Sequence, residues 1–339
     1  MKNEKKINLG FAILRLYLSF LVVIHHCFQP SNIMKTKFKI KIIFNIIHVP
    51  NFYLLSFYFC YNLFKSKNIR KIKIRFQRLL IPYFIWPIII WSLKKLLSFL
   101  YKKIQPNTFK ELIFQFLTGH VFMTVLWFQY ELIFITLLMF IIHLLFKENL
   151  VMYILINVQV FAIFFTYSNY NFIYFNKYNY FKKNTFGRFF EIIPYCITGY
   201  ILAYLNSVNF LSKHRKISLN IFLPVLILIS KYKIFLELSG FAYQGLKLYT
   251  LSISIFFLFS LVPTERIGNK NTIKFIEFIS GHTAGIYFIH LPLSYYFYIF
   301  SLVKRGKLSG AVIIYIVSYI ISLLGKLQFK KTKLINLFQ

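Results

Sequence analysis

Phe11-Ala-Ile-Leu-Arg-Leu-Tyr-Leu-Ser-Phe-Leu-Val-Val-Ile-His-His-Cys-Phe28 is almost entirely apolar and long enough to span a bilayer. It nevertheless carries Arg15 and the pair His25 and His26. A central arginine costs roughly 2.5–3.5 kcal/mol on insertion scales, so a span that keeps such a group usually uses it. Eleven residues separate Arg15 from His26. On an α-helix that is three turns plus roughly 20°, with a rise of about 16 Å. Both side chains therefore point the same way, Arg15 near one membrane surface and His26 towards the other half. His25 falls about 80° from Arg15 and is the poorer partner. The bland alternative is an arginine that snorkels to headgroups beside interfacial histidines.

The same apolar character extends along the chain. Its 339 residues are 58% hydrophobic and 21% aromatic, with only 14% charged, and the mean hydropathy is +0.62. A soluble domain carries more charge. Apolar runs recur throughout, so the expected fold is all-α, a polytopic transmembrane helical bundle. A transmembrane barrel would show short alternating segments instead. The net charge of +33 comes from 41 Lys and Arg against eight acidic residues, all of them Glu. Nucleic-acid binding is the first alternative to consider for such a charge. The lysines, however, sit in short clusters between apolar runs, where they face anionic lipid, so no nucleic-acid partner is expected. Cys27, Cys60 and Cys196 fall in or beside apolar runs and suggest neither a disulfide framework nor a metal site. Met1-Lys-Asn-Glu-Lys-Lys6 before the first run looks like a signal peptide, but no small-residue cleavage site follows. An uncleaved first span is expected.

About ten spans are expected. They cover roughly 9–28, 42–64, 79–97, 121–146, 150–167, 189–206, 217–230, 247–263, 282–302 and 310–325. The basic stretch Lys65 to Arg78 reads as a connection, 98–120 as a loop of moderate amphipathicity, and 169–188 as an aromatic, Asn-rich loop. A polar loop precedes the ninth span, and the tail 326–339 is basic. Pro82 and Pro87 suggest a kinked third span. No repeat period or linker appears, so residues 1–339 read as a single membrane domain. Lys and Arg are nearly balanced between the two sides. The dense cluster Lys65 to Arg78 favours its own side as cytoplasmic, which puts both termini on the cytoplasmic side of a plasma or inner membrane.

Three further stretches carry candidate chemistry. Arg75-Phe-Gln-Arg78 places two guanidiniums one turn apart on a helix face, which suits phosphate capture. A positive-inside anchor is the competing reading. Leu126-Trp-Phe-Gln-Tyr-Glu131 puts the only acidic residue well inside an apolar run. Such a carboxylate is paired, protonated or functional; it could pair with Arg15 or orient a histidine. Ser280-Gly-His-Thr-Ala-Gly-Ile-Tyr-Phe-Ile-His-Leu-Pro292 buries His290 one turn after Tyr287, with Gly281, Ala284 and Gly285 allowing close packing. His48, His120, His143 and His214 show no partners by spacing and read as structural or interfacial. No P-loop, dinucleotide fingerprint, zinc spacing or nucleophile elbow is present.

Together these residues resemble the integral-membrane acyltransferase-3 family, whose members O-acylate surface carbohydrates and related acceptors. Arg15 and His26 are similar to its first-span Arg-x10-His pattern. Arg75 and Arg78, followed by Ile81-Pro-Tyr-Phe-Ile-Trp86, look like its Arg-x-x-Arg segment. Tyr287, His290 and Pro292 resemble its Tyr-x-x-His-x-Pro pattern, and Leu126-Trp-Phe128 also fits. The ordered set spans about residues 7–300. The chain departs from the family in having no acidic residue beside Arg15.

The resemblance implies transfer of an acyl group, acetyl most often, from cytosolic acetyl-CoA or another acyl-CoA to a hydroxyl. The acceptor would be a cell-surface or lipid-linked carbohydrate, within membrane lipid and without a metal. It further implies donor binding by Arg75 and Arg78 with Arg15 deeper on the same side. His26 becomes the general base, with Glu131 or His290 orienting it or stabilising charge. A transporter or flippase of a glycan or lipid precursor is the alternative class. Its signature would be internal repeats with matching broken helices, and none is visible.

Overall fold

The computed structural model describes residues 8–27, 47–100, 108–118, 126–168, 184–208, 246–262, 269–303 and 307–337. All regular structure among them is helical. In chain order the α-helices are α1 (Leu9–Cys27), α2 (His48–Lys65), α3 (Ile69–Leu100), α4 (Phe109–Thr118), α5 (Leu126–Leu145), α6 (Glu148–Ser168), α7 (Asn184–Ser207), α8 (Leu246–Ser260), α9 (Lys270–Ser280), α10 (Thr283–Ile299) and α11 (Leu308–Gln328). A short 3-10 helix, Lys333–Leu337, follows. Nine of the ten expected spans coincide with a helix; the seventh, 217–230, lies outside the described residues. Among the described residues, five helices are long and apolar enough to cross a membrane: Leu9–Cys27, Ile69–Phe99, Trp127–Leu145, Phe189–Ser207 and Leu308–Gln328.

The structure differs from the sequence reading in three places, each for a local reason. The basic segment expected as a connection is helical from Ile69, so α3 begins well before the third expected span. Lys and Arg are good helix formers, and Ile72 and Leu79, seven residues apart, are both buried on this helix. α3 then runs through Pro82 and Pro87. The supposed loop 98–120 contains α4, which starts on a reciprocal cap. Thr108 Oγ1 accepts from the Glu111 N–H at 3.2 Å, and Glu111 Oε2 accepts from the Thr108 N–H at 3.0 Å. The polar loop before the ninth span contains α9, where Asn269 Oδ1 accepts from the Asn271 N–H at 2.6 Å.

The chain forms two compact units. The first contains Leu9–Leu21 of α1, all of α2, the end of α5 from Phe140, and α6 to α9. Its centre is the packing of α7 on α2 and α6. At Gly199 the α7 backbone meets the Leu54 carbonyl of α2, leaving no room for a Cβ. Several polar groups inside this apolar unit satisfy one another, as burial favours. His143 Nε2 and the Tyr200 hydroxyl are 2.6 Å apart, with Phe64 stacked on the imidazole at 5.1 Å. The Gln159 amide donates to Thr198 Oγ1 at 2.8 Å and to the Tyr249 hydroxyl at 2.5 Å. At the end of α2, Lys65 pairs with Glu148 at 3.1 Å, and the Tyr61 hydroxyl donates to the same carboxylate oxygen at 3.1 Å.

The second unit contains Val22–Cys27 of α1, then α3, α4, the first part of α5 to Met139, α10, α11 and the 3-10 helix. Here α10 packs on α11 around a core of Val23, Cys27, Ile286, Val303, Ala311 and Ile314. The 3-10 helix packs on α3. Trp86 of α3 stacks on Phe288 of α10, ring centres 6.1 Å apart. Gln129 of α5 donates to the Leu79 carbonyl of α3 at 2.9 Å, and Tyr83 donates to the Phe116 carbonyl of α4 at 2.7 Å. These ties bring the motif-bearing ends of α1, α3, α5 and α10 into one unit.

Candidate active site

His290 sits at the middle of α10 and is fully buried, with 0% of its surface exposed. Its Nδ1 lies 3.0 Å from the Ile286 carbonyl oxygen one turn earlier. A carbonyl can only accept, so this nitrogen carries the ring proton and Nε2 keeps its lone pair. Among the described residues Nε2 has no hydrogen-bond partner. The His26 ring of α1 lies 5.2 Å from the His290 ring, tilted by 39°. His25 meets His26 edge-on at 5.2 Å. Two stretches 264 residues apart thus place their imidazoles side by side within one unit.

Aromatic rings wall this pair. Tyr287 lies 6.2 Å from His290, and Phe128 of α5 lies 5.3 Å from Tyr287. Glu131 follows Phe128 by one helical turn and so shares its face. Its carboxylate is buried, with 1% of the residue exposed. A buried carboxylate on the helix that abuts Tyr287 is a group that a membrane interior tolerates only at a cost.

Arg15 is placed differently. It belongs to the part of α1 within the first unit, where its guanidinium lies 4.8 Å over the Phe59 ring of α2. Phe11, one turn earlier, packs against Tyr58, Phe59 and Phe256. The arginine thus rests on an aromatic face, an arrangement worth about 0.5–2 kcal/mol depending on desolvation. His26 and Arg15 remain eleven residues apart on one helix, as their spacing requires.

Arg75 and Arg78 lie in the second turn onward of α3, one turn apart. Arg75 is half-buried and Arg78 exposed. Lys326 lies in the last turn of α11. Lys326 Nζ donates to the Gly281 carbonyl at 3.4 Å, in the turn that leads into α10. From His282 to His290 is eight residues along the helix, a rise of about 12 Å. The second unit therefore carries Lys326 against the turn before α10 and, about two turns further along that helix, a pair of imidazoles.

Several buried polar groups were not legible in the sequence. Glu191 is buried in α7, a second helical carboxylate that sits too near the edge of its apolar run to stand out. Lys94 is buried in α3, its ammonium 5.8 Å over the Tyr295 ring. His143, expected to be structural or interfacial, has a hydroxyl partner in Tyr200 that spacing does not reveal. Among the described residues no group of three or more His, Cys, Asp or Glu could hold a metal ion.

A family model described as "Acyltransferase domain", of the acyltransferase-3 type, matches residues 8–326, nearly the whole chain. No curated protein and no solved structure matches it significantly.

Proposed function

The chain belongs to the acyltransferase-3 family and is an integral-membrane acyltransferase, and from that premise we propose that it moves an acetyl group from cytosolic acetyl-CoA to a hydroxyl of a cell-surface or lipid-linked carbohydrate. The observation that carries this reading is the buried His26–His290 pair, with the unpartnered Nε2 of His290 beside it. A general base for a sugar hydroxyl must be a neutral imidazole; His26 takes that role here because it stands beside His290, whose Nε2 lone pair can steady it.

In the proposed reaction the hydroxyl oxygen attacks the thioester carbonyl as His26 takes its proton. The new C–O bond forms and the C–S bond breaks. The proton passes from His26 to the departing CoA sulfur, so an alcohol and a thioester become an ester and a thiol. His290 acts as a positioning residue for His26, and the buried Glu131 balances the charge that develops on imidazole. Arg75 and Arg78 hold the phosphates of the donor. The pantetheine arm, which is longer than the rise from His282 to His290, delivers the thioester to the imidazoles. Arg15 supports the first span on its aromatic face and contributes positive potential along it. With this assignment the α3 end with Arg75 and Arg78 faces the cytoplasm, and both termini do too.

The test uses the purified chain in nanodiscs with radiolabelled acetyl-CoA and an extract of envelope carbohydrate. Label should appear in the carbohydrate as CoA is released. Changing Arg75 and Arg78 together to Gln should raise the KM for acetyl-CoA by at least about tenfold, since each charged hydrogen bond contributes roughly 1.5–3 kcal/mol. kcat at saturating donor should change far less, because binding lost equally from ground and transition states moves KM alone. A double variant with unchanged KM removes the arginines from the donor site.

A further inference from the structure

α4 is ten residues long, and its rise of about 15 Å is half the roughly 30 Å of a hydrocarbon core. Two contacts fix how it lies on α3. At its first residue, the Phe109 ring is 6.2 Å from the Trp91 ring. Near its end, the Phe116 carbonyl accepts from the Tyr83 hydroxyl at 2.7 Å, and the Phe116 ring lies 5.5 Å from the Phe84 ring. Numbers rise along α4 as they fall along α3, so the two helices are antiparallel. α4 thus occupies the stretch of α3 from Trp91 back to Tyr83, a rise of about 12 Å. That stretch belongs to a helix long and apolar enough to cross a membrane.

The Trp91 end of this pairing has the residues of a membrane surface. Lys95 Nζ lies 5.2 Å over the Trp91 ring. Tryptophan gathers at the headgroup level, and lysine reaches out to water from there. α4 begins at that level with its polar groups, the Thr108–Glu111 cap and the exposed Lys110. Residues 112–117, further along, carry no charge. Leu112 is buried, while Phe109, Ile113 and Leu117 are 63%, 45% and 71% exposed. Spaced by four, these three form a stripe along the helix. The stripe continues an apolar surface of α3, because Phe84, which meets Phe116, is itself exposed, as is Ile88 one turn on. The far end of α4 also suits hydrocarbon. A helix that ends in water leaves its last carbonyls to solvent, whereas one that ends in lipid needs a donor from the protein. The buried Tyr83 supplies that donor.

We propose that α4 is a half-membrane helix, sunk in the leaflet that Trp91 and Lys95 border, with the acyl chains of bilayer lipid covering Phe109, Ile113 and Leu117. This placement is independent of the reaction assigned to His26.

The experiment attaches a nitroxide to Phe109→Cys, Ile113→Cys and Leu117→Cys in turn, in the full chain in phosphatidylcholine nanodiscs. It measures collisions of the label with oxygen, which concentrates in hydrocarbon, and with a nickel chelate, which stays in water. Cys27, Cys60 and Cys196 are buried, and wild type put through the same labelling gives their background. The oxygen-to-nickel ratio should rise from position 109 to 113 to 117. All three should exceed the ratio at Ile69→Cys, at the exposed basic start of α3. Ratios at 113 and 117 as low as at 69 place α4 in water and overturn the proposal. A ratio that stays level from 109 to 117 lays the helix along the membrane surface and overturns the descent. Spin–spin broadening between two chains, with both probes shut out, gives the stripe to a second copy and overturns the lipid contact. If Ile113→Cys does not stay monodisperse, Leu117→Cys against Phe109→Cys decides by the same ratio.

Discussion

On the proposed mechanism, replacing His26 with Ala should abolish nearly all acyl transfer. General-base assistance contributes about 10²–10⁴ in rate, so the turnover of His26→Ala should fall by that factor. Donor affinity should stay within a few-fold, because the phosphates are held elsewhere. The measurement is CoA release and label transfer by the nanodisc protein under saturating acetyl-CoA, together with donor binding by the same preparation. His290→Ala should lower turnover less than His26→Ala if His290 acts, as proposed, through the position of its neighbour 5.2 Å away. The double variant should then fall little below His26→Ala alone, because residues acting as a unit are not additive. Retention of more than a tenth of wild-type turnover by His26→Ala would take the base role away from it.

How far this site was legible in the sequence depends on the kind of relation involved. The helices were legible because apolar runs of membrane length state them outright, and α1, α5 and α11 fall close to their expected bounds. The start of α3 was hidden because hydropathy ends at the basic cluster while helical propensity does not. The α4 cap was written plainly as Thr108 and Glu111, but it stands outside any long apolar run. Pairing across the chain was not legible at all from spacing. Periodicity fixes which residues of one helix share a face and says nothing about which other helix covers it. That His26 meets His290 required either family resemblance or the fold. The same limit explains Tyr200 beside His143 and Lys326 on the Gly281 carbonyl.

The arrangement of the second unit gives the chemistry a direction. α10 links the Gly281–His282 turn, where Lys326 docks, to the imidazole pair and then to Tyr295, which lies under Lys94. In the proposed reaction, a thioester donor held near the first point would reach the second without moving its anchor. Proximity of that kind removes much of the entropic barrier to a bimolecular transfer. It also separates recognition of the donor from proton transfer, so lesions at the two ends should be distinguishable as KM and kcat effects.

Gly199→Ala should unfold the first unit at markedly lower temperature. A Cβ at this position would overlap the Leu54 carbonyl oxygen and press on the backbone carbon and Cα of the same residue. Backbone cannot step aside as a flexible side-chain end can, so α7 must move away from α2. Overpacking of a tight contact costs typically 1–3 kcal/mol and occasionally more. Small residues at helix contacts matter especially in membranes, where close packing replaces the hydrophobic drive between helices. The displacement would also strain the Tyr200 hydroxyl contact with His143, since Tyr200 is the next residue of α7 and its partner is 2.6 Å away. Thermal unfolding in detergent, followed by size-exclusion chromatography, reads the effect. Leu324→Ala provides the control, because Leu324 is exposed on α11 and its truncation should stay within about 0.5 kcal/mol. Equal stability of Gly199→Ala and Leu324→Ala would mean that α2 and α7 do not approach each other through this glycine.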